Sequence, residues 1–284
     1  MKLLATRIRG PQTSYLYQPS SDPNAPLFFL IHGFPDDAYT FKKQFWHFKN
    51  MDMLAPFARG TPPSEMAQEE TRYGPDSILL DNLHLIREID PHKEKKILVM
   101  GHDIGGLYAW DLARHLGDRC LGLVVENGAS IEQMAFRISN WRQLVKSWYI
   151  LIFQIPGSKI LWEQFEKRFI SRAYNLGGSK EKKYPKDVSE GILQYREAFK
   201  EVLSFLITKK RSATLNKLQV PTLILCAKKD PFLEEVGLDE LEKYAEKLTV
   251  RYIEGGHWAH KNNSEKVNHL IDKFIGEING SMGG

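Results

Sequence analysis

Cysteine is nearly absent from this chain. Cys120 and Cys226 are the only two in 284 residues, and they form no motif. Nothing therefore points to a disulfide framework or a thiolate metal site. Long apolar runs are missing too. Trp148 to Ile155 comes nearest and is too short to span a membrane. The amino-terminal stretch Met1–Arg9 has too short an apolar core for a signal peptide. Charge of one sign is scarce: 39 Lys and Arg against 35 Asp and Glu leave a formal +4. A nucleic-acid binder usually shows a concentrated basic stripe, and none stands out here. The expectation is a soluble, reduced, cytoplasmic protein with no nucleic-acid and no membrane partner. The glycosylation patterns Asn262-Asn263-Ser264 and Asn279-Gly280-Ser281 are discounted on the same ground.

What the chain does have is a strand, a glycine turn and a helix in direct succession. Ile97 to Met100 reads as a buried strand, Gly101-His102-Asp103-Ile104-Gly105-Gly106 follows, and helical spacing resumes at Leu107 and Trp110. Glycine two places either side of one polar residue describes a nucleophile elbow. Its central residue is usually Ser; here it is Asp103. A hydroxyl must lose a proton before it attacks, whereas a carboxylate is already an anion at neutral pH. Such a nucleophile suits displacement at a saturated carbon and leaves an ester on the protein. A histidine is then needed to activate the water that hydrolyses the ester. An Asp merely capping the helix is the alternative reading.

Strand and helix alternate through the first part. Leu3–Ile8 and Thr13–Tyr17 predict an edge hairpin around Gly10-Pro11. Leu27–Ile31 predicts a buried strand ending in His32-Gly33-Phe34-Pro35. A helix is predicted over 36–48, strands over 52–57 and 121–125, and an amphipathic helix over 77–89 that Asp90-Pro91 stops. This alternation predicts a parallel sheet with helices on both faces, and ligands in such folds sit beyond the strands' carboxyl ends. Between 130 and 212 the strands vanish. Phe136, Trp141, Trp148, Tyr149, Phe153, Trp162, Phe165, Phe169, Tyr195, Phe199 and Leu203 recur at helical intervals. We read 130–212 as an inserted helical cap, and 1–129 with 213–284 as the core domain. The cap is basic, with 16 Lys and Arg against 8 Asp and Glu, and this reads as a solvated outer face. Pro221–Ala227 and Leu248–Ile253 are the last strands, 238–247 and 264–278 the last helices, with a frayed tail from Gly280.

Asp103, Asp230 and His257 thus fall after three different strands, in the order nucleophile, acid, histidine. Asp230 would accept from one ring nitrogen of His257 and leave the other to polarise water. With His32-Gly33-Phe34-Pro35, Ala227-Lys228-Lys229-Asp230 and Gly256-His257-Trp258 in place, the chain resembles the soluble, cap-bearing epoxide hydrolases of the α/β-hydrolase fold. The resemblance spans nearly its whole length. It implies oxyanion-hole amides at Phe34 and Ile104, a cis Pro35, and a pocket including His32, Pro35, Phe153 and Trp258. It also implies two cap tyrosines that hold and protonate the epoxide oxygen. Trp148-Tyr149, followed by Phe153-Gln154-Ile155-Pro156-Gly157, looks like the first, and Gln194-Tyr195-Arg196 like the second. Tyr174 and Tyr184 are the substitutes.

The activity implied is conversion of a small hydrophobic epoxide and water to a vicinal diol, with no metal and no cofactor. The chain departs from the family at Ile104, where Trp is frequent. Glu126 also ends a strand, and in some relatives that position supplies the acid. A haloalkane or haloacid dehalogenase, or a silent ligand-binding module of the same fold, is the competing reading. Whether the protein is a monomer or a homodimer is left open.

Overall fold

Alternation along the central strands decides which side of the sheet each residue serves. Leu27, Phe29, Ile31, Val99, Leu123 and Val125 are buried on one face. Phe28, Leu30, Leu98, Met100 and Val124 are buried on the other. Strands apolar on both faces need helices on both, and that is the arrangement in the computed structural model of the chain. The residues described are 1–7, 11–137, 140–180, 185–208, 217–234 and 241–282.

The strands are β1 (Lys2–Arg7), β2 (Gln12–Gln18), β3 (Leu27–Ile31), β4 (Asp52–Pro56), β5 (Ile97–His102), β6 (Cys120–Glu126), β7 (Thr222–Ala227) and β8 (Leu248–Ile253). They form one sheet in the order β1-β2-β4-β3-β5-β6-β7-β8. β2 runs antiparallel to both its neighbours, β1 and β4; β4 through β8 are parallel along that order. Helices α1 (Lys42–His47), α2 (Pro75–Ile89) and α3 (Ile104–Leu116) come from the first half, and Ser264–Met282 closes the chain. Between β6 and β7 the described residues form α4 (Ile131–Arg137), α5 (Trp141–Lys146), α6 (Trp148–Phe153), α7 (Ser158–Leu176) and α8 (Gly191–Thr208). No helix among the described residues is long and apolar enough to cross a membrane.

Several local expectations are corrected. Cys120 starts β6, and burial pushes its thiol up to about 12. The stretch predicted as one helix over 36–48 is a 3-10 turn, Ala38–Phe41, followed by α1. The helix predicted over 238–247 does not run to its end, because Ala245 bridges to Leu218; residues 238–240 lie outside the described ones. The last helix continues to Met282, into the tail expected to fray from Gly280. The aromatic and apolar residues read at helical intervals between 130 and 212 divide. Phe153, Trp162 and Tyr195 are buried, but Phe136, Trp141, Trp148, Phe165, Phe169 and Leu203 are exposed. Helical spacing tells which residues share a face, not whether anything covers that face.

The elbow depends on a close crossing. A methyl group on Gly101 would meet the carbonyl of Gly105, and one on Gly105 would meet the carbonyls of Ile31 and His32. Strand β5, helix α3 and the end of β3 therefore touch backbone to backbone. Gly105→Ala is expected to destabilise the fold by about 1–3 kcal/mol, read as a lower urea midpoint with an unchanged slope. An unchanged midpoint would show that the crossing tolerates a side chain.

Candidate active site

Asp103 sits between β5 and α3 with φ 56° and ψ −127°. A non-glycine residue holds such a backbone only where its surroundings over-determine it. The result is a carboxylate standing out beyond the carboxyl end of the sheet. Its Oδ1 accepts from the Phe34 amide at 3.3 Å and from the Tyr195 hydroxyl at 2.6 Å. Its Oδ2 lies 3.4 Å from His257 Nε2. The other ring nitrogen, Nδ1, is 2.7 Å from Asp230 Oδ2. Asp230 Oδ1 accepts the amides of Phe232 and Leu233, at 2.7 and 3.1 Å, which fixes the carboxylate in its own turn. Asp103, Asp230, His257, Tyr195 and the Phe34 amide thus converge. Ile104 lines the adjoining cavity, and the Phe34–Pro35 bond is cis.

Charge is tightly balanced here. Burial pushes His257 down, but the charge of Asp230 and the hydrogen bonds the ring donates to Asp103 and Asp230 override it and lift the ring to about 10. Burial pushes Asp103 up, and the hydrogen bond and charge of His257 hold it below its usual range. Burial and then the charge of Asp103 raise Tyr149 and Tyr195 well above the ordinary phenol value. The resting arrangement is an ion pair beneath two protonated phenols. The rings of Tyr149 and Tyr195 meet edge-on, 5.9 Å apart.

Above Asp103 lies a cavity of about 90 Å³. Asp103, Tyr149, Tyr195 and His257 supply its reactive polar groups, and Ile104, Leu107, Met134, Phe199, Val202 and Phe232 much of its apolar wall. His32, Pro35, Phe153 and Trp258 are not among its lining residues, which corrects the expected pocket. Each is engaged elsewhere. His32 Nε2 accepts from the Ala58 amide, while Nδ1 donates to the Gly33 carbonyl. Trp258 stacks on Tyr174 and donates to Asp36. Phe153 packs among Phe34, Trp162 and the two tyrosines, and Pro35 is buried. Tyr174 is no substitute phenol, because its hydroxyl bonds Asp36. Tyr184 lies outside the described residues.

Glu126 faces away from His257. Its Oε1 takes the amide and Nδ1 of His260, at 3.0 and 2.9 Å. Other participants were not singled out in the sequence. His102 Nε2 and Asn127 Nδ2 both donate to the His257 carbonyl, at 3.0 and 2.8 Å. Burial, helped by the charge of His260, lowers His102 to about 3 and keeps it a neutral donor. Arg196 donates to the carbonyls of Phe153 and Ile155, tying α8 to the end of α6 beside both phenols. Lys146 reaches the carbonyls of Asp230 and Leu233 and the carboxylate of Glu234. Their signal was present in part: Arg196 adjoins Tyr195, and Asn127 follows a strand end.

Over residues 26–264 the chain matches the alpha/beta hydrolase fold family, and it belongs to that family. It is 27% identical to epoxide hydrolase 3 of Xenopus tropicalis, over 95% of this chain and 77% of that protein. It is 25% identical to epoxide hydrolase 4 of Homo sapiens, over 95% of this chain and 78% of the relative. An inhibitor-bound epoxide hydrolase from Bacillus megaterium superposes with a TM-score of 0.79 at 21% identity, covering 96% of this chain and 100% of that one. That last likeness speaks to the fold. Relatives named epoxide hydrolase thus align along nearly the whole chain, as the motifs led us to expect.

The raised His257 gives a pH signature. A group whose folded value exceeds its unfolded one adds stability that is complete below the unfolded value and fades towards the folded one. Thermal midpoints of wild type and His257→Gln are expected to differ most below about 6.5 and to converge as pH rises towards about 10. A gap that widened with pH would contradict the ion pair.

Proposed function

We propose that this protein hydrolyses an epoxide to a vicinal diol through an ester on Asp103. The observation that carries this reading is the Tyr195 hydroxyl 2.6 Å from Asp103 Oδ1, with Tyr149 alongside and His257 on the opposite oxygen. An epoxide placed between carboxylate and phenols takes over the phenols' hydrogen bonds. Oδ1 stays against the Phe34 amide, so Oδ2 is the attacking oxygen. It forms a bond to a ring carbon as the carbon–oxygen bond breaks. A phenol gives its proton to the departing oxygen, a general-acid contribution of about 10²–10⁴-fold.

The ester carries no charge. Its formation removes one of the two carboxylates that hold the proton on His257, and the proton passes to the phenolate. Neutral His257, oriented by Asp230, then takes a proton from water as that water attacks the ester carbon. The oxyanion develops on Oδ1, against the amide of Phe34 with that of Ile104 as second donor; one such donor is worth about 10²–10³-fold. Collapse expels the diol oxygen, which takes the proton of the new carboxyl group. Asp103 is again an anion and His257 again a cation, so charge and protons balance over the cycle. The chemistry uses no metal and no cofactor. The helical segment 130–212 acts as the cap that carries the phenols and keeps bulk water off the ester.

A single turnover in heavy-oxygen water is expected to place the label in the Asp103 carboxylate, read by peptide mass spectrometry, and to leave the first diol unlabelled. Label appearing directly in that diol would rule out the ester. Asp103→Ala is expected to abolish turnover, and Tyr195→Phe to lower kcat about 10²–10⁴-fold. Halide release from haloalkanes without any epoxide turnover would favour the dehalogenase reading.

A further inference from the structure

The cavity opens onto an apolar face of the molecule. Leu144 and Leu151 line it, yet 42% and 45% of their surfaces are exposed, so they form its mouth. Around them, Trp141, Val145, Trp148 and Ile152 also point outward, with Trp141 69% and Trp148 56% exposed. These six residues recur every three or four positions along α5 and α6, making one outward stripe. The opposite side of the same helices holds Gln143, Tyr149 and Ile150 against the cavity. Soluble chains rarely leave apolar patches of this kind uncovered.

Charge argues for what covers it. Residues 130–212 hold 16 Lys and Arg against 8 Asp and Glu, while the remainder of the chain is net negative. Arg142 lies over the Trp141 ring with its guanidinium 5.6 Å from the centroid. Lys167 and Arg168 are exposed on α7. Exposed tryptophan and leucine, with Arg142 against the Trp141 ring on a segment of net positive charge, describe an interfacial surface, apolar face in the acyl boundary and cations at the headgroups. A second protein seated on this stripe would cover the mouth formed by Leu144 and Leu151. A bilayer would leave the mouth open to dissolved apolar molecules.

We propose that α5 and α6 dock this protein on the surface of an anionic phospholipid bilayer, so that the cavity draws its substrate from the membrane. The substrate class is then an apolar epoxide that partitions into lipid. The attachment stands on the stripe and the charge; only the substrate half rests on the function proposed above. Arg142, part of the basic face read from sequence as merely solvated, is on this view a headgroup contact.

Flotation with vesicles tests this without reference to turnover. The 284-residue chain is expected to float with phosphatidylcholine vesicles containing about one-third phosphatidylglycerol, and more weakly with phosphatidylcholine alone or at high salt. The triple variant Trp141→Ser, Val145→Ser, Ile152→Ser, changed only at exposed positions outside the cavity, is expected to lose at least about tenfold in partitioning. It should hydrolyse a water-soluble epoxide as wild type does, which also controls for folding. Its turnover of a long-chain epoxide dissolved in those vesicles should fall. Wild type that ignores both vesicle types overturns the proposal. So does a wild-type dimer, seen by sedimentation, that the triple variant splits into monomers, because the stripe is then an interface between copies. Vesicle binding without turnover of any epoxide refutes the function proposed above and the substrate class, and leaves the attachment standing.

Discussion

The structure depends on one strained residue. Asp103 holds φ 56° in the middle of a chain that packs on both sides of it. A conformation of this kind costs on the order of 1–3 kcal/mol. It persists because β5 is hydrogen-bonded between β3 and β6 and α3 is buried along most of its length. Neither flank can relax without breaking the sheet or lifting the helix. The same constraint brings the end of β3 close enough for the Phe34 amide to meet the carboxylate.

Electrostatics organises the next layer. One imidazole lies between two carboxylates, and a second buried network sits beside it. There Glu126 holds His260, His260 meets Thr40, and Thr40 meets Asp36. Burial pushes Asp36 up, but Lys261 overrides it and holds the carboxyl well below its usual range. Two acids at neighbouring strand ends therefore have separate partners, with Asp230 on His257 and Glu126 on His260. Neutral His102 lies between the two histidines, its ring 4.6 Å from one and 4.5 Å from the other. That keeps a further positive charge away from His257.

Much of this was legible in the sequence, because the signals are local. The elbow needs only a strand, two glycines and a helix in register. The positions of Asp230 and His257 follow from strand ends plus chain order. Glu126 could not be separated from Asp230 that way, since both end strands; the choice lies in which histidine each one meets across the sheet. His32 and Trp258 looked like pocket residues because they adjoin motif residues. Their rings turn the other way, to the Ala58 amide and to Asp36. The outward stripe on α5 and α6 was unreadable for a related reason. Periodicity assigns residues to a common side of a helix, and both sides of these helices are apolar. Arg196 was hidden because its acceptors are main-chain carbonyls far away in sequence.

Lys146 bears on how molecules pass in and out. From α5 it bonds the carbonyls of Asp230 and Leu233 and pairs with Glu234. The roof is therefore bolted to the turn that seats the histidine's acid. Moving α5 away from the core would have to break its bonds to that turn. The cavity beside it is rimmed by Leu144 and Leu151, whose bulk narrows the opening on that side.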